Sequence, residues 1–352
     1  MVVEPGQTPF EEARIITRES ESVHLSPRSY TLALSPNVIY SRSMLLPTLI
    51  SSKVHKQLEF QAVGSWWIYR PADGGSGSGG FFYRVPSSRE DVFSDDSISV
   101  KGKRTLMRFL RHIGGGGGST SDDKVEKEEE KEEDNINFQD YLATKFHIPT
   151  ELSAPLLSLS LSQSSPQETS AGYAVRRIQR HLSSIGVFGP GFGSLVARWG
   201  GDSEICQVAC RSLAVGGGVY ILGTGVVDAA FPDEEKKELL TVQLSGGYNV
   251  KTRFLVGSDW DLPANEQKQQ QRAYRKVARS ITIVSSPLQH LFPRTAADDG
   301  PVPAAVVVIF PGQTLGLPGE SPSVYLQVHS SDTSECPVNQ CKFLSFSLFL
   351  YI

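Results

Sequence analysis

Three consecutive glycines, Gly216 to Gly218, interrupt the stretch GGDSEICQVACRSLAVGGGVYIL between Gly200 and Leu222, and they dictate what can stand on either side. A helix pays most backbone entropy at glycine, so one that starts near Asp202 has to stop at this run. Asp202 or Ser203 supplies an oxygen for the first free amides, and β-branched Val219 with Tyr220 opens a strand beyond the stop. Within the helix, Glu204, Gln207 and Arg211 recur at i, i+3 and i+7 and share one face, while Ile205, Val208 and Ala209 point elsewhere. Such a stripe either meets a partner or is plain wet surface, with Glu204 complementing the helix dipole and Arg211 in solvent.

A chain of 352 residues with 39% hydrophobic side chains has room for one large or two medium domains around a sizeable core. Its net charge is only -4, and most of the excess acid lies in the run DDKVEKEEEKEED from Asp122 to Asp134, so nothing calls for nucleic acid as a partner. Cys206 and Cys210 lie one helical turn apart, and Cys336 and Cys341 bracket the run CPVNQC. Neither pair has a second ligand pair at zinc spacing, and so few thiols fit a reducing compartment, so they read as structural. The first residues contain no apolar core of signal-peptide length, and FLSFSLFLYI at the far end is too short to span a bilayer. The expected location is the cytosol.

Along the chain, residues 1–27 form a polar, proline-bearing lead-in. From Pro36 the pattern is helical, with Ile39, Leu45, Leu46 and Leu49 recurring and Pro47 breaking or restarting the helix. Leu58 to Tyr69 and Phe81 to Val85 read as two strands joined by the loop PADGGSGSGG, with adjacent Trp66 and Trp67 facing opposite sides. Lys101 to Ile113 is an amphipathic helix, its stripe of Leu106, Phe109, Leu110 and Ile113 opposed by Arg104, Arg108 and Arg111. Residues 114–135 are low complexity and too poor in apolar groups to offset their ordering entropy, which predicts a disordered insertion. Phe138 to Phe146, Leu152 to Leu161 and Tyr173 to Ile185 continue as helices, and FGPGFG near Gly189 reads as a hinge. LLTVQL, TRFLV, SITIV, AVVVIF and SVYLQVH then predict strands.

VYILGTGVVDAA, from Val219 to Ala230, imitates a dinucleotide fingerprint. The third glycine is missing and too little chain follows Gly225 before Phe231 and Pro232 for a helix to aim at a pyrophosphate, so a strand-connecting turn is expected. His24, His55, His112, His147, His181, His290 and His329 are scattered singly, none with a nearby acid at metal spacing, and no nucleophile elbow is present. No catalytic, cofactor or metal residue is assigned.

The block E-x-x-Q-x-x-x-R with the following Ala-Val-x-GG-x-Y segment resembles the most diagnostic block of the Rab GDP-dissociation inhibitor and Rab escort protein superfamily. Asn37 to Phe60, then VPSSREDVFSD from Val85 to Asp95, then KGKRTLMRFL from Lys101 to Leu110 follow in that family's order, and PSSREDVFSD is closer to the escort branch, component A of Rab geranylgeranyltransferase. The matching segments cover roughly Ser35 to Gln340. The resemblance implies an α+β or α/β fold: a larger sheet-containing domain resembling flavin monooxygenases, without flavin chemistry, and an inserted helical subdomain. Residues 28–95 and 187–340 would form the discontinuous Rab-binding domain, 96–186 the helical lipid and transferase side, and 341–352 an atypical tail. The implied partners are GDP-bound Rab GTPases, the geranylgeranyltransferase heterodimer, the isoprenoid of prenylated Rab and, transiently, membranes. Glu204, Gln207, Arg211, Val219 and Ile221 would lie on the Rab-binding platform. The chain would be a non-catalytic escort without cofactor; a recycling GDP-dissociation inhibitor and a flavin-dependent oxidoreductase are the competing readings. The family's N-terminal G-x-G-x-x-E strand and its C-terminal portion have no counterpart here, so truncation at both ends is the expectation.

Overall fold

AVVVIF, the strand Ala305–Phe310, is apolar at every position and buried along its length, which is what an interior strand covered on both faces requires. In the computed structural model, which describes residues 12–16, 26–34, 36–72, 79–114, 133–230, 239–258, 261–263, 277–296, 300–316 and 321–348, this strand lies in the middle of the larger sheet. The elements in chain order are β1 (Ile39–Tyr40), α1 (Leu45–Ser51), β2 (Phe60–Pro71), β3 (Gly80–Arg84), α2 (Arg89–Ser94), α3 (Val100–Ile113), α4 (Phe138–Tyr141), α5 (Thr150–Leu159), α6 (Ala171–Ser184), β4 (Ser194–Ala197), α7 (Asp202–Val215), β5 (Val226–Ala230), β6 (Leu240–Leu244), β7 (Asn249–Thr252), β8 (Val277–Val284), β9 (Ala305–Phe310), β10 (Val324–Ser330) and β11 (Cys341–Leu348). The chain divides into two compact units, Met1–His24 with Arg211–Arg275 and Leu25–Cys210 with Lys276–Ile352.

The second unit is built on a mixed sheet of order β1-β4-β2-β9-β10-β11-β8, with β3 paired to β2. Its β2–β9 pair is parallel and the remaining pairs are antiparallel. Strand alternation divides its core in two. Ala305, Val307 and Ile309 join Val63, Trp66 and Ile68 under the helices, against Leu106 and Phe109 of α3, Phe138 and Tyr141 of α4, Leu156 of α5 and Ile178 of α6. Val306 and Val308 face the other way, with Leu291, Phe292, Val328 and Cys341. The two tryptophans divide as the alternation predicts: Trp66 is buried beneath the helices, and half-buried Trp67 on the opposite face donates its indole N–H to the Leu291 carbonyl at 3.0 Å. The helices between residues 96 and 186 thus share one core with the sheet.

The first unit contains a three-stranded antiparallel sheet, β5-β6-β7.

Several expectations differ from what folds. Ile39–Tyr40 is a short strand paired with β4, and helix begins only at Leu45, where Pro47 falls in the first turn and its missing amide costs no hydrogen bond. Val219 and Tyr220 open no strand; the chain runs irregularly to a turn at Gly223, and β5 starts at Val226. The TRFLV segment contributes only its threonine to a strand, β7. Cys341–Leu348, expected as an atypical tail, is a strand hydrogen-bonded on both sides, to β10 and to β8. Of the acidic insertion, residues 115–132 lie outside the described residues, but 133–135 are helical: Glu133 accepts from the Tyr141 hydroxyl at 2.7 Å and pairs with Lys145 at 3.3 Å, and Asp134 pairs with Arg176 at 3.0 Å.

PSSREDVFSD has a structural use. Ser88 caps α2 in a reciprocal box with Asp91, whose carboxylate also takes the Ser87 hydroxyl and amide, and Asp95 accepts from the Tyr83 hydroxyl at 2.5 Å. Burial works against the Asp91 charge, but those hydrogen bonds prevail and hold its carboxyl below the usual range. The Cys336 and Cys341 thiols are free and buried, and burial pushes Cys341 up to about 11, consistent with unreactive packing groups.

His181 on the buried face of α6 packs its ring edge-on against Trp66, with centroids 4.6 Å apart, and its Nδ1 has no hydrogen-bond partner among the described residues. Burial lowers its pKa from 6.5 to about 4. A base depressed in this way stabilises the fold above the unfolded value, and that contribution is lost as pH falls toward the folded one. Between pH 6.5 and 4 the wild type is therefore expected to lose about 3 kcal/mol more stability than His181→Phe in urea unfolding. Equal losses in the two proteins would contradict a neutral, buried His181.

Candidate functional site

Helix α7 is held at its start by a network that crosses the sheet. Before it, Trp199 (φ 68°) and Gly201 (φ 58°) turn the chain in the left-handed region. The Trp199 amide donates to the Thr333 carbonyl at 2.8 Å, and Arg198 reaches the Ser334 hydroxyl at 3.1 Å and the Glu59 carboxylate at 2.8 Å. The expected caps have other duties: the Asp202 carboxylate accepts from the Asn37 side-chain amide, and the Ser203 hydroxyl donates back to the Gly200 carbonyl at 2.6 Å. Both Asp202 and Glu204 remain in the first turn, where negative charge opposes the helix dipole. Val208, fully buried, and Ile205 fasten the helix to a cluster containing Ile39, Leu46, Leu49, Phe192 and Leu195.

The far end of α7 is closed by the glycines in a Schellman arrangement. The Gly218 amide donates to the Leu213 carbonyl at 2.9 Å and the Gly217 amide to the Ala214 carbonyl at 3.1 Å, with Gly217 at φ 87°. The glycine run therefore stops the helix where the sequence requires, although no strand follows at once.

Glu204, Gln207 and Arg211 all fall on α7, Glu204 half-buried and the other two exposed. Val219 and Ile221 come after it and are 80% and 54% exposed. They lie in an apolar run, since Leu213, Val215, Tyr220 and Leu222 are exposed as well. Isolated apolar residues are common on surfaces, and six exposed ones within ten positions are a local concentration above that background.

The G-x-G at Gly223 to Gly225 starts in a turn and leads into β5, not into the helix start that a pyrophosphate site of this pattern needs. Among the described residues, no group of three or more His, Cys, Asp or Glu side chains could hold a metal ion, and no helix is long and apolar enough to cross a membrane.

Sequence reasoning missed the charged cluster behind α7. The Glu335 carboxylate lies 2.5 Å from His329 Nδ1 and 2.7 Å from Lys342 Nζ, all three side chains being almost fully buried. His329 Nε2 faces the Gln327 side-chain oxygen at 3.2 Å, and Lys342 also donates to the Thr31 carbonyl at 3.1 Å. Burial pushes the Glu335 carboxyl up, but the hydrogen bond from His329 and the charges of His329 and Lys342 outweigh it and hold it below the usual range. Lys342 is lowered by burial, a loss that Glu335 offsets in part. The visible clue was a lone lysine in the apolar run CKFLSF; its partners, six residues apart across a turn, follow no motif.

Comparison with known proteins bears on what such a surface meets. The family model described as GDP dissociation inhibitor matches residues 10–328. The Rab proteins geranylgeranyltransferase component A of Saccharomyces cerevisiae is 27% identical over 290 residues, 82% of this chain and 43% of that protein. The protein of the same name from Candida albicans is 27% identical over 348 residues, 96% of this chain and 49% of its own length. The chain spans about half the length of these curated relatives. Among solved structures, a Rab GDI from Plasmodium falciparum superposes with a TM-score of 0.61 over 93% of this chain and 69% of that one at 16% identity, which shows a common fold.

The turn into α7 makes a direct prediction. Gly201 occupies the left-handed region at φ 58°, where a Cβ costs about 1 kcal/mol, so Gly201→Ala is expected to lose about that much stability in urea unfolding. An unchanged midpoint would contradict the geometry of this turn.

Proposed function

The chain belongs to the GDP dissociation inhibitor family, and from that premise we propose that it is a non-catalytic Rab escort protein, the accessory component of a geranylgeranyltransferase. It binds a Rab GTPase in its GDP form, presents the C-terminal cysteines to the transferase heterodimer and carries the lipidated product through the cytosol to membranes. The observation that carries this reading is the exposed surface of α7 and the apolar residues after it, on a chain whose curated relatives at 27% identity are named component A. A carrier is physically necessary, because an isoprenoid left in water forfeits about 0.8 kcal/mol for every CH₂ it could bury.

In this reading Gln207 and Arg211 make polar contacts to the GTPase, Glu204 supports them from the first turn, and Val219 and Ile221 supply apolar contact. The helices α3 to α6 face the lipid and the transferase. No residue of the chain needs to do covalent chemistry, since the transferase makes the thioether bond, and no cofactor is required.

A pull-down with GDP-bound Rab, offered in unprenylated and in prenylated form, and the transferase heterodimer tests the proposal. The escort role calls for capture of unprenylated Rab and the transferase, whereas capture of prenylated Rab alone would identify a recycling inhibitor. Arg211→Glu reverses a charge at an exposed position and is expected to weaken Rab binding at least about tenfold without altering the circular dichroism spectrum. Unchanged affinity would remove Arg211 from the interface.

A further inference from the structure

The cluster around Glu335 does more than satisfy its own charges. One carboxylate oxygen, Oε2, takes both His329 and Lys342. The other, Oε1, is buried and accepts no hydrogen bond among the described residues. It lies beside Gly201: a Cβ built on that glycine would stand 3.5 Å from it. Gly201 immediately precedes α7, whose first turn is the positive end of the helix; there the Ser203 amide donates to the Gly200 carbonyl and the Glu204 amide to the Gly201 carbonyl, each at 3.2 Å. At that end the Asp202 carboxylate is turned to Asn37 and the Ser203 hydroxyl to the Gly200 carbonyl.

We propose that Glu335 is a positioning residue for α7: the turn between β10 and β11 lends a buried carboxylate whose second oxygen, held at Gly201, adds buried negative charge at the positive end of the helix and fixes the turn that leads into Glu204 and Gln207. His329 and Lys342 grip one oxygen and so aim the other. The backbone reinforces this placement, because the Glu335 carbonyl accepts from the Thr31 amide at 3.0 Å and the Thr333 carbonyl from the Trp199 amide at 2.8 Å. A carboxylate from a distant turn thus adds to the negative charge that Asp202 and Glu204 place in the first turn. The functional consequence rests on the proposed docking role of α7, whereas the placement of the helix does not.

The test is amide hydrogen exchange of the full chain, read on residues 202–206 and on the rest of α7. Glu335→Gln keeps the shape and removes the charge, and it is expected to speed exchange at 202–206 about fivefold relative to the remainder of the helix. Because it strands the Lys342 ammonium in the core, it also lowers the melting temperature. Glu335→Gln with Lys342→Met removes both charges, and it is expected to recover the melting temperature while leaving the fast exchange at 202–206. Exchange at 202–206 equal to wild type in both variants, or accelerated evenly along the chain, would overturn the proposal. GDP-bound Rab affinity separates the two readings. A wild type that binds no Rab, with the exchange pattern as expected, sinks the docking role alone; full Rab binding with no local effect at 202–206 sinks the positioning role alone.

Discussion

Withdrawing a carboxylate and an ammonium from water costs several kcal/mol per ion, and the cost is met only where each charge finds its partner at short range. Glu335 and Lys342 meet that condition 2.7 Å apart with no solvent exposure on either side chain. The pair constrains distant parts of the chain together. Lys342 belongs to β11 and His329 to β10, so their convergence on one oxygen fixes the register in which His329 stands opposite Lys342. Thr31 is held at both its amide and its carbonyl, and the turn that opens α7 lies against the same loop. Were this pairing lost, an uncompensated charge would remain in the core, and the sheet register, the segment around residue 31 and the seat of α7 would loosen together.

What was legible in the sequence was whatever local periodicity controls. AVVVIF announced an interior strand because no polar residue interrupts it, and α3 announced its buried face because Leu106, Phe109 and Ile113 recur at helical spacing. The glycine run marked the end of α7 because only glycine sits easily in the left-handed region. Errors arose where pairing partners decide. Ile39 and Tyr40 lie next to a helix start, and only β4, far along the chain, makes them a strand. Cys341–Leu348 lacks a familiar motif, yet two neighbours supply its backbone hydrogen bonds. Val219 and Tyr220 have strand-forming side chains, and none of the described strands pairs with them. The candidate site divides in the same way: its exposed residues were readable from helical spacing, whereas the Glu335 cluster joins residues 31, 329, 335 and 342 through tertiary structure alone.

The two halves of the site make different demands. A surface that meets a protein partner needs exposed polar residues for selectivity and apolar residues for contact, and α7 with the segment after it offers both. It also needs to be ordered beforehand, since each side chain or loop that orders only on binding takes free energy from the complex. The buried face of α7 and the network at Gly201 supply that order at the start of the helix, and the Schellman cap at Gly217 closes its far end. Membership of the GDP dissociation inhibitor family then gives the surface its proposed partner, a Rab in the GDP form.

The proposed Rab-binding residues all lie between Glu204 and Ile221, so a bound Rab has to leave its footprint there. Hydrogen-exchange footprinting of the full chain, alone and with saturating GDP-loaded Rab, tests it most directly. Residues 202–222 are expected to become protected with GDP-loaded Rab and to remain unprotected with the same Rab loaded with a GTP analogue. Protection confined to other residues, or equal for the two nucleotides, would contradict it.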